Sequence, residues 1–330
     1  MDGRRKSIWG IAAAVGMGLL ILDTRTAVAG ARSGVELCVR TVIPSLLPFF
    51  FLSILLTASL IGRRIWVLRP VCRLCRIPEG AESILLAGLL GGYPVGAQCI
   101  SQVFENGGLH QSDAQRMLAF CSNCGPAFLF GIVAAQFNRW WDAWLLWGIH
   151  IASALCVGAI LPGNPHACRI SQTRPIGPVQ ALERACKIMA GVCGWVVLFK
   201  VLLFFLQRWT LWMLPSVVQI IIQGLLELSN GCIALSGIIN QDVRFVLCAG
   251  ILSFGGLCVG MQTWSVVSEA IDRRLYFPGK VAQCAISILL AAILHGMVYL
   301  AIPALATSAL VVIFLRKMQK SSSIPQPIGV

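Results

Sequence analysis

Apolar residues run on for long stretches of this chain, without the polar returns that a half-buried helix or strand would show. A membrane-crossing helix needs ~20 mostly apolar residues. Windows of that kind fall at 8–28, 41–61, 83–104, 117–137, 143–162, 186–206, 210–228, 245–267 and 281–315. As a single helix the last would reach ~52 Å against a hydrocarbon core of ~30 Å, so His295-Gly296 or Pro303 is expected to divide it. The pattern predicts an all-α polytopic membrane protein with about eight to ten hydrophobic segments. Its expected parts are an N-terminal anchor helix over 1–33, a first membrane repeat over 34–163, a basic cytoplasmic loop over 164–185, a second repeat over 186–315 and a cytoplasmic tail over 316–330.

Composition narrows the class. Hydrophobic residues make up 57% of the chain and charged residues 12%, about half the ~25% usual for soluble domains. Too few charges remain to cover a soluble fold of this size, which excludes a soluble enzyme, a nucleic-acid module and a disordered chain. The net charge of +13 therefore reads as orientation rather than nucleic-acid binding. Arg4, Arg5 and Lys6; Arg63, Arg64, Arg69, Arg73 and Arg76; Arg169, Arg174, Arg184 and Lys187; Arg273, Arg274 and Lys280; and Arg316, Lys317 and Lys320 all lie between apolar runs. The positive-inside rule makes these cytoplasmic groups, with anionic lipid as a second contact.

Most of the fourteen cysteines lie in apolar segments, where they act as small hydrophobes. The pairs Cys72/Cys75 and Cys121/Cys124 lack the further ligands a zinc site needs. Arg4-Arg5-Lys6, the apolar run to Leu22 and Ala27-Val28-Ala29 have the three parts of a secretory signal. The same residues fit a retained first helix, the reading we favour.

Charge parity requires one segment between residues 61 and 163 to dip into the membrane and return. Gly88, Gly91, Gly92, Pro94 and Gly96 break the middle of 83–104 and make it that segment; the same logic makes 245–267 a second dip, also from the cytoplasmic side. Such irregular backbone survives at membrane depth only inside protein or beside a wet cavity. Gly91-Gly92-Tyr93-Pro94-Val95-Gly96-Ala97-Gln98 matches Gly255-Gly256-Leu257-Cys258-Val259-Gly260-Met261-Gln262 at five of eight positions, 164 residues apart. Matching interruptions in two halves point to a transporter site. Segments 83–104 and 245–267 are therefore expected to be related by a pseudo-two-fold axis and to bring Gln98 near Gln262.

Ionisable groups inside apolar runs are candidate functional residues. Glu227, after Ile220–Leu226, is the strongest, because a carboxylate has too short a stem to snorkel; it would take a proton or Na⁺, or pair with a cation. Lys200 is expected to snorkel, and His150 and His295 to be satisfied core residues. In Phe120–Gly131, Pro126 frees the Ser122 carbonyl, exposing dipole ends beside Ser122 and Asn123 that can hold an ion or a carboxylate.

Gly91–Ala97, Phe120–Gly131, Gly224-Leu225-Leu226-Glu227, Gly255…Gln262 and Pro44-Ser45-Leu46-Leu47-Pro48-Phe49-Phe50 together resemble the YlbJ-type sporulation integral membrane proteins. These belong to the nucleoside-recognition (Gate) domain group, and the likeness runs from about residue 34 to 315. It implies a multi-pass protein of the outer forespore membrane of a sporulating bacterium, moving dipicolinate towards the spore. On this reading Gly92, Pro94, Gln98, Ser122, Asn123, Pro126, Asn230, Gly256 and Gln262 bind a small anion. Glu227 carries H⁺ or Na⁺ coupling, with no other cofactor, no metal and no nucleic-acid partner. No enzyme motif is present. The alternative is a non-transporting assembly or signalling protein of spore development.

Overall fold

The structure is a computed structural model that describes residues 3–163, 165, 166, 170 and 176–322. The side chains of Arg4, Arg5, Lys6 and Lys320, and Arg169 and Arg174 as a whole, lie outside the described residues. Helix α1 (Gly3–Leu22) ends at Asp23, whose carboxylate accepts from Thr26 N and starts α2 (Thr24–Leu37). A π turn at Cys38–Val42 joins α2 to α3 (Ile43–Leu60) in one long crossing. The sequence window 8–28 therefore covers parts of two helices, because Asp23 caps inside it.

After a short α4 (Arg69–Leu74) come α5 (Glu82–Leu86), carried by a π turn to Gly91, and α6 (Val95–Glu105). Next are α7 (Gln111–Leu118) and α8 (Pro126–Phe128), the latter prolonged to Gln136, and α9 (Trp140–Ile160). The second half holds α10 (Pro178–Trp209), α11 (Ser216–Leu226), α12 (Leu228–Ala234), α13 (Gln241–Phe254), α14 (Gly256–Val266), α15 (Tyr276–Leu294) and α16 (Val298–Ser322). Among the described residues there is no strand, six helical stretches are long and apolar enough to cross a membrane, and four shorter apolar helices accompany them. The apolar 281–315 window divides at His295-Gly296, as expected.

Two of the short helices belong to hairpins. A Cβ built on Gly96 would lie 2.6 Å from Gly88 Cα, whereas eight residues of straight helix span ~12 Å. The chain therefore reverses at Gly92–Pro94, and 82–105 dips and returns as the sequence suggested. A second reversal occurs at Glu227, where a Cβ on Gly231 would lie 2.2 Å from Gly224 Cα. This corrects the sequence reading: 210–228 does not cross, and 245–267 is not a dip. The α13–α14 pair, interrupted at Gly255 (φ +81°), runs the whole length of α15. Thr263 meets Tyr276 at 3.3 Å near one end, and Asp242 meets His295 at 2.7 Å near the other.

The two hairpins enter from opposite ends. The base of the first is tied by Ser268 N donating to Ser101 Oγ at 2.8 Å, beside Gln111, which donates to Ala270 O. The base of the second lies by Arg244, which donates to both Ile238 O and Gln136 O. Arg63, Arg64, Arg69, Arg73, Arg76, Arg273 and Arg274 gather at the first hairpin's end, which the positive-inside rule makes cytoplasmic. A long crossing (24–60 or 178–209), a hairpin, an interrupted crossing and a continuous one thus occur twice, in opposite sense. The five-of-eight match equates breaks with different jobs. The counterpart of the Gly92–Pro94 tip is Glu227, and that of Gly255-Gly256 is the 119–125 break.

Candidate functional site

The hairpin tips meet at mid-depth and separate two larger cavities. Helix α10 lies along both, with Lys187 and Lys200 thirteen residues and so ~20 Å apart. The cavity at the end away from the basic face has a volume of about 560 Å³ and is walled by Arg25, Lys200, Arg208, Gln219, Gln223 and Asn230, among others. The cavity at the basic end, about 380 Å³, is walled by Pro94, Gln98, Arg184, Lys187, Gln262 and Ser265, among others. No carboxylate lines either one among the described residues. Both fall in the range of ~300–1,000 Å³ typical of small-molecule sites. Asp23 pairs with Arg208 at 3.0 Å, while Arg25 and Lys200 have no acidic partner among the described residues.

Glu227 joins the two. It is 2% exposed, and the chain turns at this residue, so its carboxylate caps α12: Ser229 N donates to Oε1 at 3.1 Å and Asn230 N to Oε2 at 2.7 Å. The Asn230 amide nitrogen also reaches Oε2 at 2.7 Å, and its oxygen accepts from Lys200 Nζ. Lys200 therefore turns inward and does not snorkel, because an amide relays its charge to a buried carboxylate. On its other side Glu227 faces a small space, about 40 Å³, with Gly92, Tyr93, Gly125, Ser229 and Gln262. The Tyr93 hydroxyl there has no hydrogen-bond partner among the described residues. A path of polar groups thus leads from Lys200 and Asn230 past Glu227 to Gln262.

Of the residues singled out from the sequence, Gly92, Pro94, Gln98, Glu227, Asn230 and Gln262 line these three spaces, and Gln98 and Gln262 share one of them. Ser122, Asn123, Pro126 and Gly256 line none of the three. Gly256 lies against Leu228 N and Gly224 O, packing the second hairpin. The Ser122 carbonyl and Asn123 Oδ1 accept from Lys280. Lys280 is fully buried, which corrects its place among the cytoplasmic cations. The legible signal was the polar stripe Lys280, Gln283 and Ser287 at helical spacing, overlooked because Arg273 and Arg274 stand close by in sequence.

His150 is a satisfied core residue. Cys124 N donates to its Nε2 at 3.0 Å, Nδ1 meets Ser253 Oγ at 3.1 Å, and Ser287 and Ser153 extend the chain of bonds. His295 is not the satisfied core residue expected: half-buried at the end of α15, it pairs with Asp242 through Nδ1, and its Nε2 has no hydrogen-bond partner among the described residues. At the basic end Arg116 is buried, donating to Cys75 O at 2.5 Å and to Arg76 O. Burial pushes the Cys72 thiol up to about 12 and the Cys75 thiol to about 11, so both are protonated at neutral pH. No group of three or more metal-binding side chains occurs among the described residues.

Fold and site together define an all-α, multi-pass membrane protein built from two inverted units, with opposed hairpins and polar cavities at either end. Comparison with known proteins agrees that this is an integral membrane protein. The chain is similar to the sporulation integral membrane protein YlbJ of Bacillus subtilis (strain 168), at 26% identity over 307 residues, covering 77% of this chain and 74% of that protein. The YlbJ-type resemblance read from the motifs is thereby borne out. No family model matches the chain, and no solved structure does; the nucleoside-recognition (Gate) grouping rests on the motifs alone.

Proposed function

We propose that this protein is a sporulation membrane carrier for a small carboxylate anion, dipicolinate, in the mother-cell-derived membrane around the forespore. The observation that carries this reading is the pair of cation-bearing cavities at opposite ends of one fold, neither lined by a carboxylate among the described residues. Arg25, Lys200 and Arg208 line one and Arg184 and Lys187 the other, and each reaches the Glu227 space through a shared or bonded amide. Fixed cations beside Gln and Asn side chains suit a planar molecule with two carboxylates, because guanidinium and ammonium groups make charge-assisted bonds and amides satisfy the remaining oxygens. The hairpin tips form the barrier. Rocking one unit against the other would open the tips to each cavity in turn, as inverted repeats permit. Glu227 holds the proton or Na⁺ that couples the cycle, since a carboxylate at this depth needs a neutralising partner.

The test is the dipicolinate content of spores from a strain lacking the gene, complemented with wild-type or Glu227→Gln protein at matched membrane levels. A carrier predicts dipicolinate-poor spores, with dipicolinate left outside them, in the deletion and Gln strains alike. Full restoration by the Gln variant would favour the assembly role instead.

A further inference from the structure

Lys280 occupies the position of an ion. It stands in the second turn of α15, and Gly279 lets that helix approach the 119–125 break so closely that an added Cβ would fall 2.8 Å from Ala119 Cβ. Its Nζ donates to Ser122 O, to Gln283 Oε1 at 2.7 Å and to Asn123 Oδ1 at 3.4 Å, and lies 5.2 Å from the centre of the Tyr93 ring. Gln283 Nε2 also donates to Asn123 Oδ1, at 3.0 Å, fixing that oxygen.

Three N–H groups meet three oxygens, the inventory of an ammonium, which has three donors and no acceptor. A neutral amine would aim a lone pair at oxygen. No carboxylate lies within ion-pair distance of Nζ among the described residues. Protonated, this amine is held by neutral oxygens and an aromatic face. The Ser122 carbonyl is available because residues 121–125 are not helical and so give it no backbone partner four residues on. A freed carbonyl with two amide oxygens at a helix break is the donor set with which membrane proteins hold a dehydrated monovalent cation.

We propose that Lys280 is a tethered replacement for such a cation. Its ammonium permanently fills a monovalent-cation site between the 119–125 break and the first hairpin, whose Tyr93 it touches, and holds the two together without a bound ion. Ion dependence is then left to Glu227 in the second unit. This last step rests on the transport reading; the site itself does not, and is tested without transport.

The experiment is thermal melting of the purified full chain, followed by tryptophan fluorescence. Wild type, Lys280→Ala and Lys280→Met are compared in chlorides of N-methylglucamine, sodium, potassium, methylammonium and ethylammonium at equal ionic strength. Removing the side chain to Cβ vacates the site. The Ala variant should melt below wild type in N-methylglucamine and rise by several degrees, saturably, with sodium or a small amine. Wild type should be indifferent to the cation. The Met variant fills the stem space without charge, so it should melt low in every salt. An Ala variant that responds no differently from wild type, or a Met variant as stable as wild type, overturns the proposal. Should the Ala variant yield folded protein only when extracted in methylammonium, the site is supported; failure in all salts counts against it. Dipicolinate uptake that newly requires sodium or an amine in the Ala variant would be the functional sign. Loss of uptake in wild type would refute transport while leaving the melting result intact.

Discussion

Asn230 holds Glu227 twice, through its backbone N–H and its side-chain amide, each 2.7 Å from the same carboxylate oxygen. Its amide oxygen meanwhile accepts from Lys200. The three groups form a relay in which a cation in the cavity away from the basic face senses the state of a carboxylate between the hairpin tips. On the proposed carrier reading, an anion arriving in that cavity would compete for Lys200 and loosen the hold on Asn230, which would give binding and tip movement a common cause.

Replacing Glu227 separates coupling from folding. Glu227→Gln keeps volume and an acceptor oxygen but loses the charged cap, at a cost of ~1 kcal/mol. Folded protein should therefore be recovered at near-normal yield, while dipicolinate accumulation, or its dependence on pH or Na⁺, is lost. Glu227→Asp keeps the charge at shorter reach and should retain part of the uptake. Uptake into vesicles at matched membrane levels is the measurement, and wild-type behaviour of the Gln variant would reduce Glu227 to a helix cap.

Lys200→Gln should weaken anion binding more than it weakens the fold, because Lys200 is only partly buried. A charge-assisted bond contributes ~1.5–3 kcal/mol, so KM should rise on the order of 10–150-fold. Lys200→Arg should stay closer to wild type. An unchanged KM in the Gln variant would remove Lys200 from the binding site.

The hairpin contacts predict a contrast between glycines. At Gly96 an added Cβ would meet Cys121 O at 2.3 Å as well as Gly88, whereas nothing lies within 4 Å of one at Gly194. Gly96→Val should destabilise the protein by ~3 kcal/mol or more, since overpacking alone costs ~1–3, and lower the yield of monodisperse protein in detergent. Gly194→Ala should melt as wild type.

The cysteine pairs should prove inert. With both thiols buried and pushed up to about 12 and 11, Cys72 and Cys75 should resist maleimide at neutral pH in the folded protein and react on unfolding. A strong chelator should leave the melting temperature unchanged; a fall would reveal a metal.

Much of the architecture was legible because lipid imposes a length on every crossing. Interruptions by Gly and Pro mark irregular backbone, so the 82–105 hairpin and the 119–125 break stood out. Hydropathy could not tell which of 210–228 and 245–267 crosses, since a hairpin arm and a crossing are equally apolar. The reversal at Glu227 depends on Gly224 meeting Gly231, a contact no periodicity displays. Glu227, Gln98 and Gln262 were found because amides and acids are costly in lipid. Lys280 was misread because a cation six residues after a pair of arginines looks like a third. Only packing reveals that its stem turns inward.

Dipicolinate counterflow in proteoliposomes tests the central claim most directly. Vesicles containing purified wild-type protein and preloaded with unlabelled dipicolinate should draw labelled dipicolinate transiently above its external concentration. Protein-free vesicles and vesicles carrying Glu227→Gln should not. Wild-type protein that is folded and correctly inserted, yet gives no counterflow beyond protein-free vesicles, would contradict the account.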